Sequence, residues 1–235
     1  MTSARRATPT PTTPGPNRTI WIVGAVVLVI GIALVAAIVV SSSNKAGSGG
    51  TPAGSAGTVV ANGSNETATV SITGTALPAF DGSVAVDPAL GQAAPTLTGV
   101  NFAGQSVTIA NDGKPKVIMF LAHWCPHCQA EVPRIQNWLD ANGMPSGVDL
   151  CAVPTATTSA RPNYPPSDWL VGKNWTVPVL VDSEQSEAAN AYGLTSFPYF
   201  VAIDASGKVV ARTSGELSMD AFAKLIDAAR TGKTQ

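Results

Sequence analysis

The sequence predicts a mixed α/β fold in which a central sheet is flanked by helices. Continuous apolar runs at Lys116–Ala122 and Val148–Val153 are typical of buried strands. Helical patterns alternate with these runs. Two strand patterns near the C-terminus, Tyr199–Ile203 and Lys208–Thr213, flank a short Asp-Ala-Ser-Gly turn. Helices that alternate with buried strands and end in a hairpin indicate a mixed sheet sandwiched by helices.

The other elements are predicted from periodicity and turn signals. Apolar residues alternate with Ser or Thr over Ala68–Ile72, which predicts a half-buried strand, and Val84 and Val86 are its predicted partner. Short strands are predicted at Thr96–Val100 and Ser106–Ile109. Further along, we predict a helix over Pro126–Ala141, an irregular segment over 154–176, a strand over Val177–Val181, a helix over Glu184–Tyr192 and a last helix from the cap Ser218 to Arg230.

An uncharged apolar segment, Ile20–Val40, precedes the predicted domain. Its 21 residues would span about 31 Å as a helix, the thickness of a hydrocarbon core. It is longer than the apolar part of a signal peptide and no A-x-A site follows it, although cleavage stays open. Three arginines precede it and only Lys45 follows closely, so we expect a single-pass membrane protein with a cytoplasmic N-terminus and an extracytoplasmic domain.

Composition divides the chain further and excludes one class of partner. Only 12% of residues are charged and the formal net charge is −1, which excludes the broad basic surface of a nucleic-acid-binding protein. The predicted parts are a disordered cytoplasmic tail (1–19), a transmembrane helix (20–40), a flexible Gly/Ser/Ala-rich linker (41–66), an N-terminal β extension (67–90) and the α/β domain (91–235).

The motif that points to chemistry is Cys125-Pro-His-Cys128, at the predicted junction of a buried strand and a helix. A zinc site needs two more ligands, and His123 and His127 lie in the same short turn, which disfavours a tetrahedral set. An inert disulfide is disfavoured because closing so short a loop adds little stability. We favour a redox-active dithiol. The helix N-terminus and His127 would stabilise a thiolate on Cys125, and Cys128 would attack a mixed disulfide.

The surroundings of this motif resemble the thioredoxin superfamily over about Gly91 to Thr231, in particular membrane-anchored proteins of the TlpA/ResA type. The resemblance implies a thioredoxin-like fold and thiol–disulfide exchange with protein substrates. The residues that carry it are Trp124 with the C-x-x-C pair, Pro95 in AP-x-L, the Phe102–Ser106 hairpin, Glu131, Pro133, VPVLVD (177–182), AYGLTSFP (191–198), Phe197–Phe200 and FVAIDASGKVV (200–210).

The resemblance implies roles for individual residues. Cys125 matches the nucleophile and Cys128 the resolving cysteine. Pro198 matches the cis-proline that faces the dithiol. The backbone of Phe197 would pair with an extended substrate segment, and Trp124 would flank the site.

Glu131 matches an acidic residue that manages protons in the family, with a solvated helix position as the alternative. Met119 stands where thioredoxin carries a buried Asp. His123 is expected to line the rim of the site, with a functional role there as the less favoured alternative. Cys151 is expected in the core. The sequence also allows Trp169 and Trp175 to form either a lid or core packing, with core favoured.

The function predicted is that of a membrane-tethered extracytoplasmic thiol–disulfide oxidoreductase, with a membrane redox partner and no cofactor. Its direction stays open because Pro-His is the dipeptide of DsbA-type oxidases, whereas the wider pattern resembles reductases. One alternative is a non-catalytic binding or scaffold module of the same fold. A peroxiredoxin-like antioxidant is disfavoured, because Ile118 and Ala122 stand where that family carries Pro and Ser or Thr.

Overall fold

A computed structural model describes residues 63 and 65–234 of the chain. These residues form two sheets, with helices that alternate with the strands of the larger one. The elements in chain order are β1 (Ser71–Thr73), β2 (Thr96–Val100), β3 (Ser106–Ile109), β4 (Lys116–Leu121), α1 (Pro126–Asn142), β5 (Asp149–Pro154), α2 (Pro166–Val171), α3 (Glu187–Ala191), β6 (Tyr199–Ile203), β7 (Val209–Ser214) and α4 (Met219–Thr231).

The larger sheet has the strand order β5-β4-β6-β7, with β4 parallel to β5 and antiparallel to β6. All six residues of β4 are buried, because successive side chains of a strand point to opposite faces and both faces are covered. Met119 and Leu121 pack into one apolar cluster, and Ile118 and Phe120 into the other. This confirms the prediction of a central strand covered on both faces.

Helices α1 and α4 cover the face of the sheet to which Met119 points. Leu139 of α1 and Phe222 of α4 belong to the same apolar cluster as Met119. Helix α4 begins where predicted, because the Ser218 hydroxyl accepts a hydrogen bond from the Ala221 N–H over 3.1 Å. This packing holds the start of α1 against the end of β4.

The smaller sheet is antiparallel with the order β1-β2-β3, and it corrects the prediction for Val84 and Val86. Strand β1 pairs with β2, whereas Val84 and Val86 form no strand and are 45% and 72% exposed. The reason is local. Asp81 Oδ1 accepts a hydrogen bond from the Ser83 N–H over 2.9 Å, and such side-chain turns compete with strand pairing.

Two further predictions between β5 and β6 were wrong. Helix α2 lies inside the segment predicted to be irregular, with Pro166 at the first helical position, where its fixed φ suits a helix. Val177–Val181 is not a strand: it forms one isolated parallel bridge, between Val179 and Ala152 of β5. Pro178 lies in this segment and has no N–H to extend the ladder.

The segment before β2 is joined to the larger sheet by a buried ion pair. The Arg212 guanidinium of β7 pairs with the Asp87 carboxylate through two hydrogen bonds, of which Nε to Oδ2 is 2.7 Å. Arg212 also donates to the Pro78 carbonyl oxygen over 2.8 Å. Gly193, with a φ of +72°, allows this approach, since a Cβ there would lie 2.2 Å from the Pro78 oxygen.

The predicted tail, the predicted transmembrane helix and nearly all of the predicted linker lie outside the described residues. Over residues 63 and 65–234, the helices are too short or too polar to cross a bilayer.

Candidate active site

The strand-to-helix junction places Cys125 at the start of α1. Strand β4 ends at Leu121, and the Cys125 N–H donates to the Ala122 carbonyl oxygen over 3.0 Å. Cys125 is the N-cap residue, with φ −75° and ψ 122°, and Pro126 follows at the first helical position. The positive end of the helix dipole therefore lies at Cys125, where it favours negative charge on sulfur.

Cys128 lies beneath Cys125 in the interior. Its side chain is fully buried, and its sulfur accepts a 3.4 Å hydrogen bond from the Ala122 N–H. Burial raises the pKa of the Cys128 thiol far above its ordinary value. The neighbouring Cys125 thiol acts in the same direction, and both cysteines lie in the same buried apolar cluster. Both cysteines are free thiols in this structure.

Phe197 and Pro198 lie at the same sheet edge as the dithiol. They precede β6, which runs antiparallel to β4 with Tyr199 opposite Phe120, so they face the carboxyl end of β4. The Phe197–Pro198 peptide bond is cis. Trp124 packs edge-on against the Phe197 ring, with centroids 5.8 Å apart. The tertiary structure thus brings together the predicted site residues Cys125, Cys128, Trp124, Phe197 and Pro198.

Glu131 is fully buried one turn after Cys128, so the solvated alternative for this residue is wrong. Its Oε1 accepts the Leu217 N–H over 3.1 Å, and its Oε2 lies 3.1 Å from Nη1 of Arg134. Burial raises the pKa of Glu131, while Leu217 and Arg134 act against that rise. Met119 is apolar and buried, so the buried carboxylate of this site comes from α1 rather than from β4.

His127 points away from the core, with 66% of its side chain exposed. Its Nδ1 lies 2.8 Å from Glu216 Oε1, in the loop between β7 and α4. Glu216 Oε2 also accepts a hydrogen bond from Arg134 over 3.2 Å. A chain of side-chain contacts therefore runs from His127 on the surface through Glu216 and Arg134 to Glu131 beneath the dithiol.

Sequence reasoning missed Arg134 and Glu216. Arg134 stands three residues after Glu131, and this spacing predicts an ion pair on one face of the helix, so the sequence contained a signal for Arg134. Glu216 is separated from His127 by 89 residues, and no local pattern connects them.

His123 does not line the rim of the site, because it is 1% exposed. Its Nδ1 donates to the Pro162 carbonyl oxygen over 2.7 Å, and its Nε2 accepts the Thr158 N–H over 3.3 Å. Burial lowers the pKa of His123, which agrees with a neutral ring that donates on one side and accepts on the other. His123 therefore holds the loop between β5 and α2.

The remaining candidates contribute to packing. Trp169 and Trp175 are buried in the cluster that contains Cys128, which confirms core packing over a lid. Cys151 is partly buried in the cluster on the opposite face of the sheet, and burial raises its pKa to about 12. Across the described residues, no group of three or more His, Cys, Asp or Glu side chains is placed to hold a metal ion.

Comparison with known proteins identifies related chains. Sporulation thiol-disulfide oxidoreductase A of Bacillus subtilis is 25% identical over 117 residues, covering 50% of this chain and 69% of the relative. Soluble secreted antigen MPT53 of Mycobacterium tuberculosis is 42% identical over 60 residues, covering 26% of this chain. This chain spans 32% of that antigen's length.

Similar solved structures include a putative thiol:disulfide interchange protein DsbE from Chlorobium tepidum and StoA from Bacillus subtilis. The first is 23% identical with a TM-score of 0.49, covering 60% of this chain and 96% of that one. The second is 22% identical with a TM-score of 0.47, covering 59% and 98%. The Redoxin family pattern matches residues 74–226, which is more than half of the chain and includes every strand of the larger sheet together with the dithiol. This chain therefore belongs to the Redoxin family.

Proposed function

We propose that this protein is a membrane-tethered, extracytoplasmic thiol–disulfide oxidoreductase that exchanges disulfides with protein substrates through Cys125 and Cys128. The observation that carries the proposal is the arrangement of the two thiols. Cys125 is the N-cap residue of α1, and Cys128 lies one turn further along the helix, fully buried in the same apolar cluster. A relative that is named as a thiol-disulfide oxidoreductase supports the same chemistry.

In the reductive direction, the Cys125 thiolate attacks one sulfur of a substrate disulfide. A bond forms between Cys125 and that sulfur, and the other substrate sulfur leaves as a thiolate that takes up a proton. Cys128 then loses its proton and attacks the Cys125 sulfur. The products are the Cys125–Cys128 disulfide and a second substrate thiol, so the pair is oxidised by two electrons as the substrate is reduced. The oxidative direction is the reverse sequence.

The buried Cys128 needs an acceptor for its proton, because burial opposes formation of its thiolate. We propose that Glu131 has this role. It lies one turn further along α1, its burial raises its pKa and thus its basicity, and its charge acts on the Cys128 thiol. Phe197 and Trp124 are proposed to line the substrate path beside Pro198.

The first test is trapping of mixed disulfides in cells that express the full chain. Cys128→Ser should accumulate substrate adducts on Cys125, because the attack that resolves them is lost. Cys125→Ser is the matched control and should accumulate none, whereas Cys151→Ser should behave as the parent protein does. If no adducts form and the parent dithiol does not exchange with glutathione, the chain is a non-catalytic module of this family.

The second test determines the direction of exchange. The reduction potential of the pair, measured against glutathione and dithiothreitol buffers, is compared with about −270 mV for thioredoxin and about −120 mV for a strong oxidase. A potential near that of thioredoxin would indicate a reductase, and a potential near that of the strong oxidase would indicate an oxidase.

The third test concerns the membrane. In a variant without Cys125 and Cys128, a new cysteine at Ser48 should react with a membrane-impermeant maleimide in intact cells. A new cysteine at Ser3 should react only after lysis. The opposite labelling pattern, or a chain found in the soluble fraction, would contradict the proposed topology.

A further inference from the structure

Arg161 is an exposed cation beside the dithiol that the proposed mechanism does not use. It lies in the loop between β5 and α2. Its guanidinium carbon is 5.1 Å from the centre of the Trp124 ring, and Trp124 directly precedes Cys125. A guanidinium at this distance over an indole face is held by a cation–π interaction.

The loop that carries Arg161 is fixed on both sides of that residue. Trp124 Nε1 donates to the Ala156 carbonyl oxygen over 2.8 Å. Thr158 and Pro162 both bond to the buried ring of His123, at 3.3 Å and 2.7 Å. Arg161 lies between these two attachments, so its charge is presented at a defined place on the rim of the site.

The charge of Arg161 is also not neutralised. Of the arginines in residues 65–234, Arg134, Arg212 and Arg230 each pair with a carboxylate, whereas Arg161 has none within ion-pair distance. On the side of His127, Glu216 is already paired with both His127 and Arg134. Arg161 therefore presents an unpaired positive charge on the Trp124 side of the dithiol.

We propose that Arg161 is a specificity-determining residue that selects substrate proteins with an acidic side chain near the exchanging cysteine. The proposal rests on the proposed function, and it names the substrate class of the same site. A carboxylate docked on the outer side of the guanidinium would leave the stack on Trp124 intact. It would also hold the substrate sulfur beside Cys125.

The test uses three disulfide-bonded peptides that differ at one position near the cysteine, which is Asp, Asn or Lys. Second-order rate constants for reaction with the reduced full-length protein are measured at low ionic strength. An exposed ion pair changes such a rate by up to about fivefold, so the Asp peptide should exceed the Lys peptide by about that factor or more. At 1 M salt the preference should disappear, because the Debye length falls to about 3 Å.

Arg161→Glu should invert the preference towards the Lys peptide, and Arg161→Lys should keep it. Lys114→Glu is the matched control. It makes the same charge change at an exposed site before β4, at the opposite end of that strand from the dithiol, and should leave the ratio unchanged. If Arg161→Glu slows all three peptides equally, or leaves the ratio of the Asp and Lys rate constants unchanged, the proposal for Arg161 is wrong. The proposed thiol–disulfide exchange would not be affected by that result. Absence of exchange with every peptide would instead overturn the proposed function.

Discussion

The carboxylate of Glu131 and the guanidinium of Arg134 lie one turn apart on α1, with Oε2 and Nη1 3.1 Å from each other. Glu131 is fully buried, whereas 40% of the Arg134 side chain is exposed. The pair therefore connects the interior beneath the dithiol to the surface, where Arg134 also bonds to Glu216. A buried carboxylate with a raised pKa can accept a proton from a nearby thiol, and it also makes the stability of the fold depend on pH.

The free energy of unfolding should fall less with rising pH in Glu131→Gln than in the parent protein. Burial raises the folded-state pKa of Glu131 above its ordinary value of 4.5, so the folded protein binds more protons than the unfolded chain. The contribution of Glu131 is full below pH 4.5 and is lost as the pH rises through the folded-state pKa. Urea unfolding between pH 4 and pH 8 measures this difference, and parallel profiles for the two proteins would contradict it.

His123→Gln should have the opposite effect on the pH profile. Burial lowers the folded-state pKa of His123 below 6.5, so the unfolded chain takes up a proton first as the pH falls. The contribution of a neutral His123 is present above pH 6.5 and is lost as the pH falls through the folded-state pKa.

Burial is the main physical cause, and the contact with Thr158 also disfavours the charged ring, since a protonated Nε2 would place an N–H against the Thr158 N–H. Unfolding free energies at pH 7 and pH 5 should therefore differ less in His123→Gln than in the parent protein. Glu131→Gln serves as a control, because it should change the pH dependence of the unfolding free energy in the opposite direction. If the unfolding free energy of His123→Gln depends on pH as that of the parent protein does, the neutral His123 ring does not contribute this stability.

The three thiols should react with iodoacetamide at very different rates. Cys128 is fully buried with a raised pKa, and burial raises the pKa of Cys151 to about 12, so both hold few reactive thiolates near neutral pH. We expect Cys125 to be labelled on the order of a hundredfold faster than the other two. Peptide mapping by mass spectrometry at pH 7.5 measures the order, and in urea all three should react alike.

Asp87→Asn should destabilise the fold by about 3–5 kcal/mol, because it leaves the fully buried guanidinium of Arg212 without its partner charge. Asp227→Asn is the matched control at an exposed pair with Arg230, where the loss should stay below about 1 kcal/mol. Urea denaturation at pH 7 measures both. Equal losses in the two variants would show that burial of Arg212 does not set the cost.

The sequence allowed prediction of those features that depend on short-range order. The apolar run before Cys125 predicted a strand buried on both faces, and β4 has that character. The Ser218 cap predicted the start of α4. The partner of β1 was mispredicted, because Val84 and Val86 carry an apolar pattern that the Asp81 turn overrides.

Local pattern and tertiary structure thus determined different parts of the site. The sequence alone placed Cys125 and Cys128 one turn apart at a strand-to-helix junction, because helical and strand periods act over a few residues. Only the tertiary structure decided that Glu216 meets His127 across 89 residues and that Trp124 meets the loop of Arg161. Those contacts arise when the packed sheet brings distant loops to one edge, and no local period encodes that distance.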